Sequence, residues 1–155
     1  MISSSSHGDR HTHLATDPPV LSSPVVPTTF HQPSTLPAVP GYTHVVEVRG
    51  GRTLYISGQV ALNEQGQLIG KDNVIAQAEQ VFRNIQLALQ AVGATFEHVV
   101  KLTIFMTDIT DLPRIRSIRD QYINAIQPPA SSAVEVRRLV HEDWLLEIEA
   151  IAVCP

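Results

Sequence analysis

Two carboxylates interrupt an otherwise apolar run, Leu145-Leu-Glu-Ile-Glu-Ala-Ile-Ala-Val153, at Glu147 and Glu149. Residues two apart in a β-strand point to the same side, so the pair shares one face. On a wet face the two groups are simply solvated, as on the polar side of many antiparallel sheets. On a dry face burial would raise their pKa values and suit one of them for proton transfer. A cation for such a site is offered by the segment holding Arg114, Arg116 and Arg119. Wound as a helix at about 100° per residue, it sets Ile115, Ile118, Tyr122 and Ile126 on one stripe, with Arg119 nearest to it and Arg116 and Arg114 pointing further away. A guanidinium at the margin of a buried face is able to grip a carboxylate with two parallel hydrogen bonds. A stem that covers apolar surface with its head in water is the equally simple alternative.

Two weaker signals accompany these. In Ser57-Gly58-Gln59 the glycine permits close backbone approach, so neighbouring N–H groups are available to a ligand. Pro128-Pro-Ala-Ser-Ser132 runs from a helix stop into a strand. The sequence has no P-loop, dinucleotide fingerprint, CxxC pair or nucleophile elbow, which removes the support for the common nucleotide, redox and acyl-transfer readings. His7, His11 and His13 are spaced for weak metal contact, but they lie in a low-complexity tract that supplies no ordered second shell, so no metal is expected.

The elements that must position these residues are legible as patterns. Residues 1–38 hold 18 Ser, Thr or Pro residues and three charged ones without a sustained period, which reads as a disordered tail ahead of a domain over residues 39–155. His44 to Arg49 alternates as a strand, Gly50-Gly51 turns, and Thr53 to Gln59 is a second strand, predicting a hairpin. Asp72 or Asn73 caps a helix whose apolar positions run from Ile75 to Val92, with Gly93 ending it. His98 to Thr107 is a strand, and Asp111 with Pro113 opens a second helix running to about Ile126. Ser132 to Val140 and Trp144 to Val153 read as strands paired across His141-Glu-Asp143. The order ββαβαββ, with a short extra strand near Leu68, predicts an α+β domain: a mixed sheet with both helices on one face. Nothing in the chain is left to cover the other face, so assembly with further copies is expected.

Composition bounds the partners. At 155 residues, 43% of them hydrophobic, the chain suits one domain. Net charge is −4, and Val39 onward carries ten basic and thirteen acidic residues, which argues against a nucleic-acid surface. Cys154 is the only cysteine, so no intrachain disulfide forms and a reducing, cytoplasmic setting is expected. No stretch has the ~20 apolar residues of a membrane helix, and the N-terminus lacks a signal-peptide pattern.

From Pro40 to Val153 the sequence resembles the Rid/YjgF family of imine and enamine deaminases. The resemblance is carried by Tyr42-Thr-His44, Tyr55-Ile-Ser-Gly-Gln59, the helix from Gln77 to Gly93, Val100-Lys-Leu-Thr-Ile-Phe-Met-Thr-Asp108, Pro128-Pro-Ala-Ser-Ser132 and the Leu145 to Val153 run, in that order and spacing. It implies a chorismate-mutase-like subunit, a homotrimeric barrel-like assembly with ligand clefts between subunits, and hydrolysis of 2-imino acids and their enamine tautomers to 2-oxo acids and ammonia without metal or cofactor. A non-catalytic ligand-binding trimer, in which loss of the arginine abolishes deamination while the cleft survives, is the second reading. Descriptions of relatives add an RNA-cleaving translation inhibitor, against which the acidic balance and 5% aromatic content argue, and a holdase chaperone.

Carried over residue by residue, the resemblance places Glu147 at the glutamate that orients the attacking water, Tyr42 at the pocket tyrosine and Ser57, with Gly58, at the strand-end serine. The carboxylate-binding arginine of the deaminating members is replaced by Ser131, and the small cysteine-like position two residues on is Ala133. Counted back from Tyr122, Arg119 stands at a polar asparagine of the second helix. A lost arginine and a new one near the same cleft suggest that Arg119 binds the anionic group of a small carboxylate-bearing metabolite.

Overall fold

A computed structural model describes residues 25–155, so His7, His11 and His13 lie outside the described residues. Its first strand, β1 (Thr28–His31), falls inside the stretch expected as a tail, so regular structure starts before residue 39, where the sequence pattern opened the domain. β1 pairs antiparallel with β2 (Val45–Val48) as a separate two-stranded ribbon. Glu47 on this ribbon meets Arg49 Nε at 2.9 Å and His31 Nε2 at 3.0 Å. Hydrogen bonding from Arg49 first, then from His31, holds its carboxyl below the ordinary range.

The main sheet holds β3 (Arg52–Gln59), β4 (Val99–Met106), β5 (Ala130–Glu135) and β6 (Leu146–Cys154) in the order β3-β6-β4-β5. Two pairings depart from expectation. β2 and β3 are joined by the Gly50-Gly51 turn but do not pair: β2 pairs with β1, and β3 with β6. β5 and β6 are not neighbours either: β5 lies parallel to β4, and β6 inserts antiparallel between β3 and β4. A parallel pair needs a crossover, and the α2 segment between β4 and β5 supplies it. β5 ends at Glu135 rather than near Val140, and the extra strand near Leu68 is a single bridge to Leu62.

Helix α1 (Val74–Gln90) starts at Asn73, whose side chain accepts from the Ala76 N–H at 3.1 Å. It ends where Gly93, at φ 74°, lets the Ala94 N–H return to the Leu89 carbonyl at 2.9 Å. Helix α2 (Leu112–Arg119) is shorter than its pattern suggested. Past Arg119 the chain turns, and Tyr122 stacks on Phe82 with centroids 5.3 Å apart instead of extending the helix. Both helices cover one sheet face. Ile148, Ala150 and Ala152 of β6 and Leu102 and Ile104 of β4 are buried there with Phe82, Ile85 and Leu89 of α1 and Ile115 of α2.

Strand alternation places Glu147, Glu149, Lys101, Thr103 and Phe105 on the opposite face. Within the single chain this face leaves apolar side chains in solvent: Tyr55 is 81% exposed and Val134 42%.

Candidate functional site

The expected site residues fall into two groups on opposite faces of the sheet. The first surrounds a cavity of about 300 Å³ at the β5 edge, lined by Tyr42, Ile104, Leu112, Arg116, Arg119, Ser131, Ser132 and Ala133. Ser131 and Ala133 stand in register with Leu102 and Ile104 of β4, so they point toward the helices, and their short side chains leave space between β5 and α2. Tyr42 is delivered by a loop tied down at the next residue, where the Thr43 N–H donates to the Pro129 carbonyl at 3.3 Å and the Thr43 hydroxyl to the Pro128 carbonyl. Gly41 takes φ 78°, and a Cβ there would lie 2.9 Å from Arg119 Nη2, so this turn passes close against the guanidinium.

Arg119 is buried more deeply than the margin its pattern indicated, at 3% exposure. Its Nε and Nη2 donate to one oxygen of Asp120 at 2.9 and 2.7 Å. Arg116, expected to point away, lines the same cavity and pairs with no carboxylate among the described residues. The reason lies in the spacing. Leu112, Arg116 and Arg119 stand at i, i+4 and i+7, a row of their own on α2, and this row faces the β5 edge while Ile115 faces the core. That spacing was present in the sequence but was masked by the longer stripe drawn through Tyr122 and Ile126.

The second group lies on the open face. β3 bulges between Ile56, opposite Ala150, and Gln59, opposite Ile148, so Ser57 and Gly58 face Glu149 alone. A Cβ on Gly58 would collide with Glu147 Oε1 and come within 2.7 Å of its Cδ, so the glycine makes the seat for this carboxylate. Glu147 also lines an open cavity of about 530 Å³ with Phe105, Val136, Arg138, Leu139 and Val140. Arg138 comes from the loop after β5, although the sequence pattern placed it inside a strand running to Val140. Nearby, Lys101 Nζ donates to Ser132 Oγ at 2.7 Å. Burial lowers the Lys101 pKa, with the Glu149 charge working against the shift.

The structure thus brings Tyr42, Arg119, Ser131 and Ala133 together, and separately Glu147 with Gly58 and its neighbour Ser57. It does not bring the two groups together on one chain. Ile104 borders the first cavity and Phe105 the second, and adjacent strand residues point to opposite faces. Among the described residues no group of three or more His, Cys, Asp or Glu gathers as a metal site, and no helix is long and apolar enough to cross a membrane.

Two helices on one face of a mixed sheet define an α+β domain, and residues 33–154 match the family model described as Endoribonuclease L-PSP. The chain belongs to this family, the Rid/YjgF family. It is similar to the RutC family protein slr0709 of Synechocystis, 43% identical over 66% of this chain and 78% of the relative. It is also similar to 2-iminobutanoate/2-iminopropanoate deaminase of Mus musculus, 38% identical over 75% of this chain and 83% of the relative. Among solved structures it resembles YyfB of Yersinia pestis, a Rid family protein of unknown function, with TM-score 0.75 and 38% identity over 82% of this chain and 98% of that one.

Proposed function

We propose that the protein hydrolyses small 2-imino acids and their enamine tautomers to 2-oxo acids and ammonia, in a site completed between copies of the chain. The observation that carries this reading is the Glu147 carboxylate, seated over the Gly58 bulge on a sheet face that the chain itself leaves open. The arginine-walled cavity lies on the other face, so a second copy must bring its Glu147 face against it, and a closed trimer is the assembly proposed. The naming of relatives such as the mouse protein as imino acid deaminases supports the substrate class.

In this reading Glu147 takes a proton from water as the water oxygen attacks C2 of the protonated imine. The resulting carbinolamine receives that proton on nitrogen, its C–N bond breaks with loss of ammonia, and the C2 hydroxyl gives its proton back to Glu147 as C2 becomes a carbonyl. The cavity holds the carboxylate of the substrate and Tyr42 borders the reacting end.

The test couples an amino acid oxidase to the protein and follows trapping of the released imine by semicarbazide. Faster imine loss with the protein present is expected, together with sedimentation as an oligomer. An absence of acceleration overturns the reading. The separation of Glu147 from the arginine cavity on one chain favours a ligand-binding role without catalysis if the protein sediments as a monomer.

A further inference from the structure

The cavity beside Ser131 is walled by two guanidinium groups, and only one of them has a counterion. Arg119 gives Nε and Nη2 to Asp120, which leaves it fixed and largely neutralised. Arg116 lines the same cavity, is half-buried, and has neither a hydrogen bond nor a carboxylate partner from its side chain among the described residues. Three residues apart on a helix, the two side chains start roughly 5–6 Å from each other. Like charges at that spacing repel, and a second anion in the cavity relieves the repulsion.

We infer that Arg116 is the residue that grips the carboxylate of the ligand, and that Arg119 is a positioning residue which braces the cavity wall. The ligand class is a small 2-imino or 2-oxo monocarboxylate. A cavity of about 300 Å³ is at the small end of ligand sites. Ser131 offers a hydroxyl but no charge, while Ile104 and Leu112 offer apolar contact to a short aliphatic tail. An unpaired arginine is free to turn its fork toward an incoming carboxylate and bind it through two N–H groups, whereas Arg119 has its Nε–Nη2 edge on Asp120 and its outer end packed against Gly41. This inference deepens the proposed deaminase reading and rests on it for the identity of the substrate.

The experiment measures binding of 2-oxobutanoate by calorimetry and, in parallel, KM and kcat for 2-iminobutanoate, in the parent protein, Arg116→Gln and Arg116→Lys. Arg116→Gln is expected to weaken binding and raise KM at least roughly tenfold, a step of about 1.4 kcal/mol, with kcat and the thermal midpoint close to those of the parent. Arg116→Lys, a point charge without the fork, should recover part of the affinity. Parental affinity in Arg116→Gln, or a parent that binds no 2-oxobutanoate, overturns the inference. If Arg116→Gln misfolds, Arg116→Lys decides, because unchanged affinity there also overturns it. A parent that binds 2-oxobutanoate through Arg116 yet leaves 2-iminobutanoate intact sinks the deaminase reading and keeps the anchor. An Arg116→Gln variant that deaminates with the parental KM does the reverse.

Discussion

Arg119 and Asp120 are consecutive residues, and the guanidinium of the first closes on a single carboxylate oxygen of the second at 2.9 and 2.7 Å. The arginine is 4% exposed in its side chain and the aspartate 48%, so the charge is buried on one side of the bond only. Truncation by Arg119→Ala removes a buried stem beside Gly41 and leaves Asp120 without its partner. We expect a loss of about 2–4 kcal/mol in unfolding free energy, the range of large-to-small core changes, whereas Arg116→Ala should cost under about 1 kcal/mol. Urea denaturation of both variants separates them, and equal losses would mean that Arg119 is not the structural one.

Glu147 depends on Gly58 for its seat. Gly58→Ala places a methyl where Glu147 Oε1 now lies, and the displaced group is the far end of a flexible side chain. The fold should therefore tolerate the change while imine hydrolysis falls. Glu147→Gln, which keeps the shape and removes the base, should lower turnover by roughly 10²-fold or more. Full activity in either variant at a parental melting temperature would take this carboxylate out of the chemistry.

Gln77 is a polar residue at 0% exposure in the apolar face of α1. Its Nε2 donates to the carbonyls of Gly70 at 3.1 Å and Asp143 at 2.8 Å, and its Oε1 accepts from the Leu145 N–H at 2.9 Å. It fixes the chain two residues before Glu147. Gln77→Leu orphans the Leu145 N–H and the Asp143 carbonyl, while the Gly70 carbonyl keeps the Asn73 N–H, and we expect a destabilisation of roughly 2–4 kcal/mol from the unpaired buried groups. Amide exchange of Leu145 accelerating in that variant would confirm the local cause, and unaltered protection would refute it.

Asp108 stands at the start of the segment that carries both cavity arginines. Its Oδ1 accepts from the Thr110 hydroxyl at 2.6 Å and the Thr110 N–H at 2.9 Å, and these bonds, hydroxyl first, hold its carboxyl below the ordinary range. A lowered folded-state value means that the carboxylate stabilises fully above the ordinary carboxylate range. The contribution fades as pH falls through the lowered value. The thermal-stability advantage of the parent over Asp108→Ala should thus be widest at neutral pH and shrink in acid. A gap that stays constant with pH contradicts the assignment.

The sequence displayed faces better than neighbours. Alternation in the Leu145 to Val153 run correctly put Glu147 and Glu149 on one side, because side-chain direction in a strand is a local property. Pairing is not local: nothing in Ser132 to Glu135 records that its partner is β4 in parallel, so a short polar turn suggested a hairpin with β6 that does not form. The α1 stripe and its Asn73 cap were readable for the same local reasons. The α2 end was not, since Tyr122 continues the apolar spacing while packing on Phe82 from outside the helix. Among the residues lining the two cavities, Glu147, Tyr42 and Ser131 were singled out through motif and order. Arg116 and Arg138 were not, because their reach toward a cavity is set by where a helix row or a loop lies against the sheet.

The central place of β6 bears on how the chain acquires its shape during synthesis. β3 and β4 are not hydrogen-bonded to each other and join the sheet only through β6, whose residues 146–154 are made last of the four strands. Until they emerge from the ribosome, the earlier strands present bare edges with no partner to accept them, the kind of surface on which neighbouring nascent chains coalesce. A translational stop before Leu146 would therefore not yield a smaller version of the sheet. It would leave β3 severed from the β4-β5 pair, a product for proteases and chaperones rather than a truncated but working domain.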